Sequence, residues 1–292
     1  MPSTNQAPAR YVLTLAVASA QGQVAAMVAL LERHAAYIEE FAVFDDALVS
    51  RFYVRIVFRL EGASADGIGA LREAYAALMD GFDGAEGAIH DLSRPMRVMI
   101  MVSKADHCLR DLLAQWRRRE LNMDIVAVVS NHADLGPLAA AEGIPFHHLP
   151  ITADTKPQQE AALLQCIAQH GAELVVLARY MQVLSEGLCE RLAGRVINIH
   201  HSFLPGFKGA RPYEQAHARG VKLIGATAHF ATSDLDEGPI IEQALERVDH
   251  AQSPEQLLST GRSVECLALG RALRFVLEHR VFINGLRTVV LR

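Results

Sequence analysis

Arg97-Val98-Met99-Ile100-Met101-Val102 is apolar at every position after the first, and helical spacing follows it from Leu109 to Arg118. A strand that is apolar on both faces is buried on both faces, which places it in a parallel sheet covered by helices. The rhythm repeats downstream, with strands at Ile125 to Val129, Phe146 to Leu149, Leu174 to Leu177 and Val196 to Ile199. Helices fall around Leu135 to Glu142 and Gln158 to His170. This alternation predicts an α/β domain over residues 96–292, a mostly parallel, Rossmann-like sheet with helices on both faces. Leu223 to Phe230 and Ile240 to Val248 read as two later strands around the turn-rich run Asp234-Leu235-Asp236-Glu237-Gly238-Pro239. Ser253 as cap and Pro254 at the first helical position start a long helix to about His279.

Upstream, Ser93-Arg94-Pro95 reads as a linker, and residues 8–92 have a different plan. Tyr11 to Val17 reads as a strand, and Val24, Met27, Val28 and Leu31 then follow helical spacing. Phe52, Val54, Ile56, Phe58 and Leu60 share one strand face, and Arg51, Arg55 and Arg59 share the other, which predicts a half-buried strand with a wet face. Ile68, Leu71, Tyr75 and Leu78 give a second helix, and Ala88 to Leu92 a closing strand. The order βαββαβ is the ferredoxin-like plan of small α+β domains.

A chain of 292 residues suits two such domains, and 51% hydrophobic with 21% charged residues is ordinary for a soluble fold. A net charge of -5 argues against binding nucleic acid through its phosphates. The four scattered cysteines, Cys108, Cys166, Cys189 and Cys266, fit reduced thiols in the cytoplasm. Met1 to Arg10 lacks the apolar core of a signal peptide, and no later stretch is long and apolar enough to span a membrane, so neither export nor membrane association is expected.

Ligands of open α/β sheets sit beyond the carboxyl ends of parallel strands, where Asn198, His200 and His201 fall. Two residues apart, Asn198 and His200 share a face, and His201 should point the other way. Taken alone, this arrangement equally suits an amide and imidazoles that satisfy backbone groups. The acidic turn with Ser233, Asp234, Asp236 and Glu237 adds a carboxylate able to orient His200 while Asn198 donates to an oxyanion. Amide, imidazole and carboxylate together suit attack on a carbonyl carbon. His147-His148 and His200-His201 lack metal-ligand spacing, so no metal is expected. Ser103-Lys104-Ala105-Asp106-His107 lacks the glycines of a phosphate loop.

The run Asn198-Ile199-His200-His201-Ser202-Phe203-Leu204-Pro205, followed by Gly209-Ala210, Thr227-Ala228-His229-Phe230 and Leu235-Asp236-Glu237-Gly238-Pro239, resembles the folate-dependent formyltransferase superfamily. Ser103-Lys104, Asp106-His107-Cys108-Leu109, Ser130-Asn131-His132, Ile144-Pro145-Phe146-His147-His148-Leu149-Pro150 and Asp154-Thr155-Lys156 are similar to its formyltetrahydrofolate deformylase branch. In that branch an ACT-like domain precedes the catalytic one. The resemblance implies an ACT-like regulatory or oligomerisation domain over 8–92 and a formyltransferase-type catalytic domain over 96–292. It implies a hydrolase that converts 10-formyltetrahydrofolate to tetrahydrofolate and formate, balances one-carbon pools and supplies formate for purine synthesis. The folate is the substrate, and neither cofactor nor metal is implied. By resemblance Asn198, His200 and Asp236 are catalytic, His229 and His201 support them, and Met181, Gln182, Val183, Leu184, Ala231, Thr232, Ser233 and Asp234 hold the folate. His201 stands where the transferases commonly have Pro, and a part for it and His147 in gating or proton transfer is a further expectation. The chain is expected to form a homo-oligomer. The loop Ala18-Ser19-Ala20-Gln21-Gly22-Gln23 lacks the acidic and proline positions common in ACT domains, which argues against an amino-acid effector there. Two alternatives stay open: a formyltransferase with an amine acceptor, and a non-catalytic folate- or amino-acid-binding regulator.

Overall fold

The structure, a computed structural model, describes residues 9–61, 67–204 and 212–292, so Pro8, Pro205, Gly209 and Ala210 of the motifs above lie outside the described residues. The chain divides into two compact units. One comprises Met1–Pro95 with Glu278–Phe282 and Val289–Arg292, and the other Met96–Leu277 with Ile283–Thr288.

The first unit follows the order β1 (Arg10–Ala18), α1 (Gln23–Arg33), β2 (Ala36–Asp46), β3 (Arg51–Leu60), α2 (Gly67–Met79) and β4 (Glu86–Asp91). Its antiparallel sheet runs β2-β3-β1-β4, with Leu13 opposite Ile56 on one side and Ile89 on the other. Period-two alternation sends Leu13, Leu15, Val54, Ile56 and Phe58 to one face, where they pack with Met27, Leu30, Leu71 and Tyr75 of the two helices. The centre of the other face is covered, which corrects the expectation of a wet face at Arg55, while Arg51 and Arg59 toward the strand ends stay partly exposed in ion pairs. Tyr53 packs there with Leu291, Phe282 and Val289, from the C-terminal segment that returns to this unit. Arg55 is buried, donating Nε–H to the Glu278 carbonyl at 3.0 Å and Nη1–H to Glu40 Oε2 at 2.7 Å. An alternation rule cannot see a cover that arrives more than two hundred residues later.

The second unit contains β5 (Met96–Val102), α3 (His107–Arg117), β6 (Met123–Ser130), α4 (Gly136–Ala141), β7 (Phe146–His148), α5 (Lys156–Gln169) and β8 (Leu174–Leu177). It continues with α6 (Glu186–Arg191), β9 (Val196–His200), α7 (Pro212–Arg219), β10 (Leu223–Phe230), β11 (Ile240–Arg247) and α8 (Pro254–Leu277). The hairpin β12 (Val281–Asn284) and β13 (Arg287–Val290) closes the chain. The seven-stranded sheet runs β11-β10-β9-β8-β5-β6-β7. The five strands from β9 to β7 are parallel, and β10 and β11 extend the edge in antiparallel sense. Met99, Met101, Val175 and Val196 pack with Leu163 and Ile167 of α5 and Leu188 of α6. Val98, Ile100 and Val102 alternate to the opposite face and are equally buried, while α8 lies against β9, β10, β11 and α3. Strand order reverses between β5 and β8, the kind of crevice where such sheets bind ligands. Among the described residues no helix is long and apolar enough to cross a membrane.

Candidate active site

Sheet register builds the site. His229 on β10 lies directly opposite Asn198 on β9, and Asn198 and His200 are two residues apart on β9, so the three side chains share a face. A β-bulge between Ala228 and His229 interrupts the pairing of β10 with β11 at this level. The loop after β10 turns back on the strand, where the Pro239 carbonyl accepts from Phe230 N–H at 2.9 Å. Gly238 makes the turn possible, because a Cβ there would overlap the Phe230 carbonyl oxygen. Asp236 adopts φ +59, a left-handed conformation that Asp and Asn tolerate better than most residues. Its Oδ1 comes to 3.1 Å from His200 Nδ1 and 3.8 Å from His229 Nε2.

Donors and acceptors follow from this geometry. His229, 2% exposed, has Nδ1 at 2.9 Å from the Phe230 carbonyl, which can only accept, so the proton is on Nδ1. In the neutral ring Nε2 therefore accepts from Asn198 Nδ2–H at 3.1 Å, which leaves the amide's second N–H available. His200 turns Nδ1 to Asp236, and its Nε2 is buried without a hydrogen-bond partner among the described residues. Burial works against ionisation of Asp236. The hydrogen bond from His200 and the neighbouring His200 and His229 imidazoles outweigh it, and the carboxyl is held well below the usual carboxylate range.

His201 corrects a sequence expectation. β9 ends at His200, the chain bends, and the His201 ring stacks on His200 at 4.8 Å rather than pointing away. Burial, with the nearby Arg179 and His200 charges, brings its pKa down to about 4, so the ring is neutral at pH 7. His147 lies elsewhere, on β7, with Nε2 at 2.8 Å from His170 Nε2.

These groups open onto a cavity of about 720 Å³. Met181, Gln182, Val183, Leu184, Ala231 and Thr232 line it together with Asn198, His200, His201, His229 and Asp236. Ser233 and Asp234, also expected to hold the folate, are not among the lining residues. Both are exposed, and the Asp234 carbonyl closes the loop by accepting from Thr232 Oγ1–H and Glu237 N–H. Leu235 lines the wall instead. Met181, Val183 and Leu235 are 59%, 52% and 60% exposed, an apolar rim that a flat ligand would cover.

Sequence reasoning missed Arg179, Tyr213 and Glu265. Arg179 and Tyr213 line the cavity and Glu265 lies behind it. Arg179 lies two residues beyond β8, near the strand-end position that sequence logic favours. Glu265 stands out as a charge inside the apolar stripe of α8. Burial opposes its ionisation, but the His107 hydrogen bond and the Arg179 and His107 charges hold its pKa below the ordinary value. Burial and the Glu265 charge push the Tyr213 hydroxyl up.

Residues 96–273 match the formyl transferase family. A formyltetrahydrofolate deformylase from Corynebacterium sp. strain P-1 is 50% identical over 283 residues, covering 97% of this chain and 98% of its own. The crystal structure of formyltetrahydrofolate deformylase from Burkholderia mallei ATCC 23344 superposes with a TM-score of 0.94 at 60% identity, covering 98% of this chain and all of that one. One from Pseudomonas putida KT2440 gives 0.92 at 48% identity, covering 97% and 100%. The likeness takes in both units as well as the site, and the chain belongs to the formyltetrahydrofolate deformylase family.

Proposed function

We propose that this chain hydrolyses 10-formyltetrahydrofolate to tetrahydrofolate and formate, with Asn198, His200 and Asp236 as its catalytic groups. The observation that carries the reading is the meeting of amide, imidazole and carboxylate on one wall of an apolar-rimmed cavity in a chain of this family. The pterin lies against Met181 to Leu184 and the Ala231–Thr232 wall. Asp236 orients a water, directly or through a second one, and accepts its proton as the water oxygen bonds to the formyl carbon. The oxyanion of the tetrahedral intermediate is met by the second N–H of Asn198 and by protonated Nε2 of His200, the atom left without a partner among the described residues. Collapse breaks the bond to N10, which takes up a proton, and formate departs. His229 acts through Asn198, fixing the amide's orientation. His201 is neutral in the working range and supports the site by stacking on His200, which leaves it no role as a general acid at pH 7. No step requires a metal or another cofactor. The activity fits balancing one-carbon pools and supplying formate for purine synthesis. Four free thiols support a cytoplasmic location. Formate release without any amine acceptor, and its loss in Asp236→Asn, test the reading.

The N-terminal unit, in this reading, serves mainly for association with a second copy. β2 is an edge strand of 11 residues, with Tyr37, Phe41, Val43 and Phe44 each at least 40% exposed, a template for pairing with another strand. The loop before α1 is closed on itself. Gln23, buried, donates to the Ala18 carbonyl at 2.7 Å and accepts from Ala20 N–H at 3.2 Å, which leaves little for an amino-acid effector to bind. Light scattering on a gel-filtration column should give the wild-type chain a mass of at least two copies and Phe41→Lys that of one. A monomeric wild type at micromolar concentration contradicts this role.

A further inference from the structure

Behind the cavity, a single carboxylate ties three separate segments together. Glu265 is 1% exposed, on the face of α8 that also presents Gly261, Val264, Ala268, Leu269 and Ala272. His107 at the start of α3 donates Nε2–H to its Oε2 at 2.7 Å, Tyr213 on α7 donates its hydroxyl to Oε1 at 2.9 Å, and Arg179 Nε lies 3.3 Å from Oε2. Burying a charged group among apolar side chains is expensive, and a well-packed apolar cluster often serves a fold as well or better. Two local costs accompany this one. Arg179 adopts φ +66, which is disfavoured for a residue with a Cβ. α8 forgoes a side chain at Gly261, inside a helix, because a Cβ there would overlap the Tyr213 ring. Strain concentrated beside a binding cavity points to a use there.

The segments it ties are cavity wall. Arg179 begins the stretch Arg179–Leu184, which has neither helix nor strand and is also tied by Met181 N–H to Ser103 Oγ at 3.0 Å and by Gln159 Nε2–H to the Tyr180 hydroxyl at 3.1 Å. Tyr213 lies with its ring 6.5 Å from that of His201, which in turn stacks on His200. We propose that Glu265 is a positioning residue of the substrate cavity, holding the Arg179–Leu184 strap and Tyr213 where a formyl-folate must dock. This rests on the folate reading of the cavity. Glu265 touches no reacting atom, so its effect falls on binding more than on chemistry.

The test compares Glu265→Gln, Glu265→Asp, Arg179→Gln and the double variant Glu265→Gln/Arg179→Gln. The readouts are steady-state hydrolysis and calorimetric titration with tetrahydrofolate, which needs no turnover. Glu265→Gln is expected to lose at least ~30-fold in kcat/KM, mostly through KM, and to bind tetrahydrofolate correspondingly more weakly. Glu265→Asp, which keeps the charge, recovers most of the loss. The double variant falls well short of the product of the two single losses, because both break one contact. Wild-type KM and affinity in Glu265→Gln, or full additivity, overturns the proposal. If Glu265→Gln does not fold, Tyr213→Phe removes one hydroxyl and leaves the other two partners; a raised KM supports positioning, and an unchanged KM overturns it. A wild-type chain that binds tetrahydrofolate normally but does not hydrolyse contradicts the catalytic reading and leaves this inference to the titration.

Discussion

Asp236→Asn should fold normally and hydrolyse 10-formyltetrahydrofolate at least ~10³-fold more slowly than the wild-type chain. The substitution is isosteric, and Asn accepts the φ of +59 found at this position as readily as Asp. What disappears is the charge. The carboxylate both takes the water's proton and holds His200 through Nδ1 at 3.1 Å, and an amide oxygen can still accept from Nδ1–H but cannot take the proton and brings no charge. The carboxyl is held well below its ordinary value, so its protonation does not limit turnover across the mildly acidic range. The sign of the stability linkage follows. A lowered folded-state pKa stabilises the wild type fully above the unfolded value of about 3.9, and this contribution fades as pH falls through the lower folded value. Urea unfolding should therefore show a gap between wild type and Asp236→Asn at neutral pH that narrows in strong acid. A gap independent of pH would place the carboxylate outside the His200 and His229 network.

Asn198→Ala should lower kcat by ~10²–10³ with little change in KM, the signature of a donor used mainly in the transition state. The register places Asn198 opposite His229, and one N–H of its amide is spent on His229 Nε2 at 3.1 Å. Only the remaining N–H of this amide is left for the reaction. The same truncation leaves the 2% exposed His229 ring without its donor, an added cost of ~1–3 kcal/mol to be read as a lowered unfolding midpoint. Asn198→Ala with near-normal kcat would show that the oxyanion is met elsewhere.

The strands of the catalytic unit were legible because continuous apolar runs have few other uses, and β5, β6, β8 and β9 lie where those runs lie. The short helices α6 and α7, of six and eight residues, carry too few turns to show a helical period, and the terminal hairpin β12–β13 is shorter still. Alternation holds only within a strand whose faces are covered by nearby sequence. The cover of Arg55 comes from the far end of the chain, out of reach of local alternation, and His201 lies one residue past the end of β9, where extended geometry no longer holds. In the site, Asn198, His200 and Asp236 could be grouped from strand-end position and chemistry, and the fold brings them together. Ser233 and Asp234 could not be told from their loop neighbours, since only the closed turn shows which side chains face inward. Glu265 did leave a signal, a carboxylate on an apolar helix face, but its meaning depends on three partners far away in sequence.

The most direct test of the account supplies 10-formyltetrahydrofolate to the purified chain in heavy-oxygen water, with a chelator present and no amine acceptor, and analyses the formate by mass spectrometry. The account predicts formate carrying one heavy oxygen, formed in step with tetrahydrofolate and at the same rate with or without the chelator. Formate that appears only after an amine is added, or release that stops on chelation, would contradict it.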